Sequence, residues 1–265
     1  MARPIALLTD FGLKDHYVGS LKGVILSINP RAVILDVTHD IRPQNIREGA
    51  FVLQAVYSVL PKGTIVVVVV DPGVGSARQA ICVKTRRGFL LAPNNGILSM
   101  VLAEEKGFEV RAIVNDRYFR KPVSSTFHGR DIFSPSAAWL SKKNIFRSFG
   151  PILPPSKLHQ FSIPMAIRNS NSLRGEIIYI DHFGNAMTNI SKDKLKHSAH
   201  GQTHILIKGK YKVRVKPFFS AGKSGELFAV WNSADRLELA VREGSAERLF
   251  GLQVSDSVTV KFSLR

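Results

Sequence analysis

Short apolar runs, each followed by an acidic residue, recur in the first third of the chain. The pairs are Ile5–Leu8 with Asp10, Ala32–Leu35 with Asp36, and Ile65–Val70 with Asp71. Continuous runs rich in β-branched residues are typical of strands buried on both faces, which form parallel sheets covered by helices. The intervening segments 17–28 and 46–60 end at Pro or Gly signals and are predicted helices.

The same alternation continues to about residue 141 and then changes. Phe89–Leu91 is a predicted strand, followed by predicted helices over 97–105 and 131–141. The pattern therefore predicts an α/β domain with a mainly parallel sheet over residues 1–160. A Pro-, Ser- and Asn-rich stretch follows, in which we place a linker over 161–172.

The last part of the chain alternates short apolar segments with turn residues and shows little helical pattern. The candidate strands are 176–180, 204–207, 211–215, 227–230, 236–241 and 258–262. This spacing predicts a smaller antiparallel β domain over 173–265, either a barrel or a sandwich.

The composition is typical of a globular protein and excludes several other classes of protein. It has 265 residues, 45% of them hydrophobic, and a single cysteine, Cys82. One cysteine excludes a disulfide framework and a Cys-rich zinc site. The apolar start, Ile5–Leu8, is too short for a signal peptide, and the longest apolar run, Ile65–Val70, is too short for a membrane span. We therefore expect a cytoplasmic protein with no membrane partner.

The formal charge of +17 initially suggests an anionic partner such as nucleic acid. The excess is spread over the chain, however, at +10 for residues 1–160 and +7 for residues 161–265. The strongest local signal is Lys208–Lys216, where alternate positions would place five basic groups on one face of a strand. A turn at Gly209 would break that stripe, and a solvated strand face is the commoner meaning of such a pattern.

The acidic residues that follow the strands indicate where a site would form. In open α/β sheets, ligands bind outside the carboxyl ends of the strands. An isolated aspartate at such a position is usually a loop or helix cap. Because three of them, Asp10, Asp36 and Asp71, occur at equivalent positions, we expect them to converge on a site.

Two further segments carry candidate chemistry in the predicted α/β domain. Asp71 is followed by a Gly-rich turn and then by Arg78, which can fold back and pair with it; such a pair keeps the carboxylate ionised. The turn lacks the Lys-Ser/Thr ending of a phosphate loop. The polar cluster at 124–131 contains His128, a candidate proton carrier near neutral pH, and Asp131, a candidate cap for the helix that follows.

Polar loops in the predicted β domain suggest one wall of a ligand pocket. Segments 179–189 and 231–236 combine Asp, Asn, Thr or Ser with aromatic residues, as in pockets for a polar ring. Their alternative is an ordinary strand-to-strand loop. Asp10, Asp36, His39 and Asp71 are the candidate ligands of a metal-dependent hydrolase, but no recognised ligand spacing occurs, so we expect no metal.

Taken together, the segments resemble the SAM hydroxide adenosyltransferases, or S-adenosylmethionine (SAM) hydrolases, which are relatives of the fluorinase and chlorinase enzymes. The matching segments occur in family order: Leu8-Thr9-Asp10-Phe11-Gly12, Asp71-Pro72-Gly73-Val74-Gly75 with Arg78, Ala92-Pro93-Asn94-Asn95-Gly96, 126–131, Asp181-His182-Phe183-Gly184-Asn185, and 237–241 leading to Gly244-Ser245-Ala246.

The resemblance implies a two-domain subunit, a homotrimer with substrate held between subunits, and attack of water on the ribose 5′ carbon of SAM to give adenosine and methionine. It implies Asp71, Arg78 and His128 as the catalytic set and no cofactor. The halogenases do not carry this set, so the resemblance favours a hydrolase. A SAM-dependent halogenase and, from another class, a nucleic-acid-binding protein remain the alternatives.

The resemblance also implies a set of substrate-binding residues. They are Asp10 on the ribose hydroxyls, Phe127 and Gly129 near the ribose, Asp15 and Asp181 at the methionine end, Phe183 and Asn185 on the adenine, and Ser233 and Arg242 on the C-terminal wall. The chain differs from the halogenases at Gln44, where they have a stacking Trp, and at His182, which makes the loop one residue shorter. Because SAM is a cation, these local carboxylates suit it better than the overall positive charge does.

Overall fold

A computed structural model describes residues 3–195 and 204–262. These residues form two compact units that divide between Ser162 and Ile163. The predicted fold class is confirmed. The first unit is α/β with a mainly parallel sheet, and the second is an antiparallel β structure that is nearly a barrel. Among the helices of the described residues, none has the length and apolar character that a membrane span requires.

The first unit contains a six-stranded sheet in the order β2-β1-β3-β5-β4-β6. Its strands are Ile5–Thr9 (β1), Ile34–Thr38 (β2), Ile65–Val69 (β3), Ala80–Lys84 (β4), Phe89–Pro93 (β5) and Glu109–Ala112 (β6). Strands β2, β1, β3 and β5 are parallel, and β4 runs antiparallel to both of its neighbours. The sequence pattern missed β4 and β6, because each is a short strand between turns.

Helices cover both faces of this sheet. They are Tyr17–Ile28 (α1), Ile46–Tyr57 (α2), Ser99–Glu104 (α3) and Ser134–Lys142 (α4). Helices α1 and α4 share one buried core with the side chains at alternate positions of β1 and β3, such as Leu7 and Val67. On the other face, Gly49 of α2 approaches Val70 so closely that a Cβ atom would lie 3.2 Å from its methyl group.

The second unit contains an eight-stranded antiparallel sheet in which β7 pairs with β8 beside the path β11-β10-β14-β8-β9-β13-β12. Its strands are Ile167–Arg168 (β7), Ser172–Ile180 (β8), Ala186–Ser191 (β9), His204–Ile207 (β10), Tyr211–Val213 (β11), Leu227–Trp231 (β12), Arg236–Val241 (β13) and Ser257–Lys261 (β14). A bridge between Val215 and Ala229 links the two ends of the path and nearly closes the barrel. The short helix Ala246–Phe250 (α5) was not predicted.

The predicted basic stripe over Lys208–Lys216 does not form a continuous strand. Lys208 and Gly209 both adopt left-handed backbone conformations, with φ of 54° and 67°, and make the turn between β10 and β11. Because alternation along one strand is what would align the five basic groups, the turn removes the main structural support for a nucleic-acid surface.

Candidate functional site

The carboxyl ends of β1 and β3 bring two of the three predicted aspartates together. The strands are adjacent and parallel, with Thr9 paired to Val69, so the residues that follow them emerge at the same edge. Asp10 and Asp71 both line a pocket of about 650 Å³, which we call the Asp10 pocket. Its other lining residues are Phe11, His16, Tyr17, Pro43, Gln44, Val69, Pro72, Val74, Ser124, Thr126, Phe127, His128, Gly129 and Arg130.

The prediction that Asp36 joins them is wrong. Strand β2 extends to Thr38, so Asp36 lies within the strand rather than after it, and its side chain binds Lys22 at 2.6 Å and His39 at 3.0 Å. The run before it was also expected to be buried on both faces. It is an edge strand instead, and Leu35 is 43% exposed.

Asp10 is held by a backbone group from the β2–α2 connection. The N–H of Gln44, a residue with a left-handed φ of 66°, donates to Asp10 Oδ2 at 2.8 Å. Burial, with a smaller contribution from the charge of Asp71, raises the pKa of Asp10 above its ordinary value despite this hydrogen bond. A donor that approaches Asp10, such as a hydroxyl group, would therefore relieve an unfavourable charge.

Asp71 and Arg78 form the ion pair that the sequence predicted. Arg78 Nε lies 3.1 and 2.9 Å from the two carboxylate oxygens of Asp71, and Nη2 lies 2.5 Å from Oδ2. Both side chains are nearly buried, at 4% and 9% exposure. This two-point geometry fixes the direction of the carboxylate and leaves Oδ1 with only the longest of the three contacts.

Arg78 also binds His128, which joins three sequence-distant groups into one chain. Arg78 Nη2 lies 2.7 Å from His128 Nδ1. A guanidinium group can only donate, so Nδ1 accepts this bond and the neutral ring carries its proton on Nε2. Burial and the positive charge of Arg78 lower the pKa of His128 below its ordinary 6.5, against the opposing effects of Asp71 and Asp131. The geometry therefore favours a neutral imidazole that donates from Nε2.

Asp131 anchors the loop that carries His128. Its carboxylate is fully buried and accepts hydrogen bonds from Arg130, Arg120 and the backbone N–H of Ser124. Burial alone would raise its pKa, but Arg130 and Ser124 outweigh that effect and hold the pKa below its usual value. The sequence suggested a helix cap here. The structure instead places Asp131 in the single π-helical turn Gly129–Phe133 before α4.

A second contact fixes this loop against the turn that holds Asp71. Gly75 has a φ of 79°, and a Cβ atom at this position would lie 2.2 Å from the carbonyl oxygen of Ser125. Only glycine combines this conformation with so close an approach. The spacing between Asp71 and His128 therefore depends on direct packing of two loops.

An aromatic wall lines the same pocket; the sequence analysis predicted a binding role for Phe127 but gave none to Phe11 or Tyr17. Phe127 makes edge-on contacts with Phe11 and Tyr17, with ring centroids 5.8 and 5.4 Å apart, and Arg130 lies over its ring. Gly129 approaches the Phe11 ring closely. The position of Phe11, directly after Asp10 at a strand end, was a usable signal.

Other proposed ligands do not gather at the Asp10 pocket. Asp15 lies in the exposed segment before α1 and does not line the pocket. His39 is buried and binds Thr9 and Asp36. Within residues 3–195 and 204–262, no three His, Cys, Asp or Glu side chains are arranged to hold a metal ion, so the metal set considered from the sequence is not assembled.

In the second unit, Asp181 organises the β8–β9 turn. Its Oδ1 accepts the backbone N–H groups of Phe183 and Asn185 at 2.9 and 2.8 Å, and its Oδ2 accepts Asn185 Nδ2 at 3.1 Å. Asn185 is nearly buried, whereas Phe183 is 73% exposed. Gly184, with a φ of 81°, packs directly against Ser245. The turn thus presents an aromatic ring to its surroundings on a rigid backbone.

Ser233 and Arg242 lie in other connections of the same unit. Ser233 is exposed in the β12–β13 turn, and Arg242 follows β13, where it pairs with Glu243. Glu238 lies within β13, is 4% exposed and accepts a hydrogen bond from Asn232 at 2.9 Å. Burial, together with the charge of Asp181, raises the pKa of Glu238. The sequence pattern alone gives no signal for a role of Glu238.

The chain is similar to known proteins over nearly its full length. The (R)-S-adenosyl-L-methionine hydrolase of Salinispora tropica is 35% identical over 259 residues, covering 97% of both chains. A fluorinase from an Actinoplanes species is 28% identical, covering 97% of this chain and 96% of its own. A crystal structure of a conserved protein from Thermotoga maritima has 38% identity and a TM-score of 0.88, covering 97% of this chain and 99% of its own.

Models of the two domains of one family match most of the chain. The SAM hydroxide adenosyltransferase N-terminal domain matches residues 5–150, and the corresponding C-terminal domain matches residues 175–259. The resemblance carried by the sequence motifs is therefore confirmed over both units. The chain belongs to the SAM hydroxide adenosyltransferase family.

Proposed function

We propose that this protein hydrolyses S-adenosyl-L-methionine to adenosine and L-methionine. The observation that carries the proposal is the hydrogen-bonded chain Asp71–Arg78–His128 beside the Asp10 pocket. Relatives named (R)-S-adenosyl-L-methionine hydrolase are 32–35% identical over nearly the full length, and the fluorinases are more distant. Water, rather than a halide ion, is therefore the nucleophile.

The reaction is a displacement at the 5′ carbon of the ribose. The water oxygen forms a bond to this carbon while the carbon–sulfur bond breaks, and the electron pair of that bond goes to sulfur. The sulfonium group leaves as a neutral thioether, so it needs no proton. The water must lose one, and accepting it as the bond forms is the main task for the protein.

We assign the proton to Asp71 and the orientation of the water to His128. His128 Nδ1 is occupied by Arg78, so the neutral ring offers a donor from Nε2 and no free acceptor. Asp71 has a carboxylate oxygen, Oδ1, that receives only one hydrogen bond, at 3.1 Å. A water that accepts from His128 and donates to Asp71 would have its remaining lone pair free for attack.

Arg78 supports this step without acting as a base, because a guanidinium group donates hydrogen bonds and has no acceptor. It fixes the direction of the Asp71 carboxylate, and the opposite charges of the pair largely cancel toward a cationic substrate. We place the ribose hydroxyl groups on Asp10, where their donors would stabilise a carboxylate whose pKa burial has raised. Phe127 and Gly129 would then bound the ribose within the same pocket.

We further propose a homotrimer in which residues of the second unit complete the substrate site of a neighbouring subunit. In support, the exposed ring of Phe183 lies in a hydrogen-bonded turn beside the nearly buried Asn185. Such a ring could stack on a planar base, and the amide could form hydrogen bonds with its edge. Asp181, Ser233 and Arg242 would supply the remaining contacts to adenine and methionine.

The reaction needs no metal or cofactor, because the leaving group is already activated by its positive charge. Full activity after treatment with a chelator is the expected result, and its loss would contradict this part of the proposal. We also propose a cytoplasmic location, in keeping with SAM as substrate and with a chain whose one cysteine, Cys82, is buried and unpaired.

An isotope experiment tests the reaction directly. Incubation with SAM in water enriched in oxygen-18 should place the label in the 5′ hydroxyl group of adenosine and leave methionine unlabelled. The same incubation with chloride should give no halogenated nucleoside. Formation of 5′-chloro-5′-deoxyadenosine would instead identify a halogenase, and absence of labelled adenosine would overturn the proposal.

A mixing experiment tests the shared site. Asp71→Asn and Asn185→Ala each damage one wall, so each variant alone should be inactive. If the site lies between subunits, unfolding and refolding the two variants together should produce some trimers with an intact site and measurable turnover. Light scattering on the unmixed protein should give three times the chain mass of 29.3 kDa. A monomer, or no recovery on mixing, would contradict the shared site.

A further inference from the structure

Arg78, whose partners Asp71 and His128 line the Asp10 pocket, itself lines a second pocket. It has a volume of about 490 Å³, and we call it the Arg78 pocket. Its lining residues are Ala77, Arg78, Gln79, Asn94, Leu153, Pro154, Lys157 and His159. Arg78 does not line the Asp10 pocket, and none of the residues in the second lining is acidic. Its size is within the range of small-molecule sites.

Arg78 directs unused donors toward this second pocket. Its Nε and Nη2 groups are engaged by Asp71 and His128, whereas Nη1 makes no hydrogen bond to any residue in 3–195 or 204–262. Nη1 is also not among the buried polar atoms that lack a partner, so it reaches open space. Arg78 lines the Arg78 pocket and is not among the residues that line the Asp10 pocket, so we assign the free donors of Nη1 to the Arg78 pocket.

The two other basic side chains are fixed there by a buried amide. Asn94, which is 5% exposed, donates from Nδ2 to the Lys157 carbonyl oxygen at 3.0 Å and accepts the His159 N–H at its Oδ1 at 2.9 Å. Lys157 and His159 have no carboxylate partner among the described residues. Their backbone is therefore held in place while their side chains remain available to an anion.

We propose that the Arg78 pocket binds a phosphate group, which Arg78, Lys157 and His159 recognise together. Guanidinium and ammonium groups are the usual protein ligands of phosphate, and Nη1 of Arg78 keeps its two N–H donors for the phosphate oxygens. The pocket is larger than inorganic phosphate, so a small phosphate monoester is the favoured form. This inference goes beyond the proposed hydrolysis and does not depend on it, since binding can be measured without turnover.

Phosphate bound in the Arg78 pocket would change the electrostatic environment of His128 through Arg78. The charged groups that act on His128 are Arg78, Asp71 and Asp131, of which Arg78 lowers the tendency of the ring to take a proton. An anion on Nη1 would offset part of the Arg78 charge. The acidic limb of the pH–rate profile should therefore move to higher pH when the pocket is filled, and turnover at mildly acidic pH should fall.

Calorimetric titration of the full-length protein at constant ionic strength tests binding. The probes are inorganic phosphate and glycerol 3-phosphate, with glycerol as the uncharged control. Lys157→Gln and His159→Gln should each weaken phosphate binding about tenfold, equal to about 1.4 kcal/mol. Neither should change turnover in the absence of phosphate. The matched control, Lys62→Gln, removes an exposed lysine outside both pockets and should leave binding unchanged.

The outcomes distinguish a phosphate monoester from inorganic phosphate and test whether the Arg78 pocket is the binding site. Tighter binding of glycerol 3-phosphate than of inorganic phosphate would support a monoester, and the reverse order would support the free ion. No saturable binding, or equal weakening by Lys62→Gln, would overturn the Arg78 pocket as a phosphate site. Phosphate that binds through Lys157 and His159 without moving the pH–rate profile would overturn the contact with Arg78.

Discussion

Replacing Asp71 with asparagine removes the charge of the proposed proton acceptor while nearly preserving its shape. The Asp71 and Arg78 side chains are 4% and 9% exposed, so solvent cannot replace the lost partner. Loss of a positioned acid–base group lowers turnover by about 10²–10⁴-fold. Each tenfold change corresponds to about 1.36 kcal/mol of activation free energy, so we expect a cost of about 3–5 kcal/mol.

The same substitution should also lower stability. Removing one partner of a buried ion pair leaves an uncompensated charge and costs about 3–5 kcal/mol of unfolding free energy. Urea denaturation measures this loss, and chromatographic detection of adenosine at saturating SAM measures turnover. Adenosine binding, measured by calorimetry, should be largely unchanged because the proposed nucleoside contacts do not involve Asp71.

A double variant separates catalysis from folding. Asp71→Asn combined with Arg78→Met removes both charges, so it should be more stable than Asp71→Asn alone. Its turnover should remain as low, because the proton acceptor is still missing. Recovery of turnover together with stability would refute the assigned role of Asp71, and so would an Asp71→Asn variant within threefold of the wild-type turnover.

Three further predictions follow from the same geometry. Turnover should fall as the pH drops through the pKa of His128, which is lowered from its ordinary 6.5, because a proton on Nδ1 would oppose the guanidinium donor. His128→Ala should lose about 10²-fold or more in turnover, and its residual rate should not fall in this acidic range. An acidic fall in the rate of His128→Ala would contradict the assignment. Gly75→Ala should cost more unfolding free energy than Gly63→Ala, since both have positive φ but only the former would meet Ser125; equal losses in urea denaturation would show that the loop contact is unimportant. Burial and a neighbouring carboxylate raise the pKa of Glu238 in the folded state. Its contribution to stability is therefore present below the pKa of the unfolded state and is lost as the pH rises through the pKa of the folded state. Glu238→Gln should be more stable than the wild type at neutral pH but not at acidic pH, and a difference in unfolding free energy that does not depend on pH would contradict this.

The pattern of apolar runs was sufficient to predict the layered first unit and the antiparallel second unit. Strands β1 and β3 are continuous and fully buried, and β3 is β-branched throughout, so their local sequence and their tertiary environment agree. Strand β2 has a similar apolar start but lies at the sheet edge. Edge position depends on which strands pair, and this is not encoded in a five-residue window. That is why Asp36 was wrongly placed with Asp10 and Asp71.

By itself, the sequence determined the fold class, the family and the identity of the groups that carry the chemistry, including the pairing of Arg78 with Asp71 across a short Gly-rich turn. Only the tertiary structure decided how these groups act on one another. The contact between Arg78 and His128 joins residues that are 50 positions apart, and it selects the proton-bearing nitrogen of the ring. The same fold also leaves Nη1 of Arg78 without a hydrogen-bond partner among the described residues and makes Arg78 part of the lining of a second pocket. Such properties depend on distance and burial in three dimensions, because hydrogen-bond direction and desolvation are set by neighbours that the chain brings together only on folding.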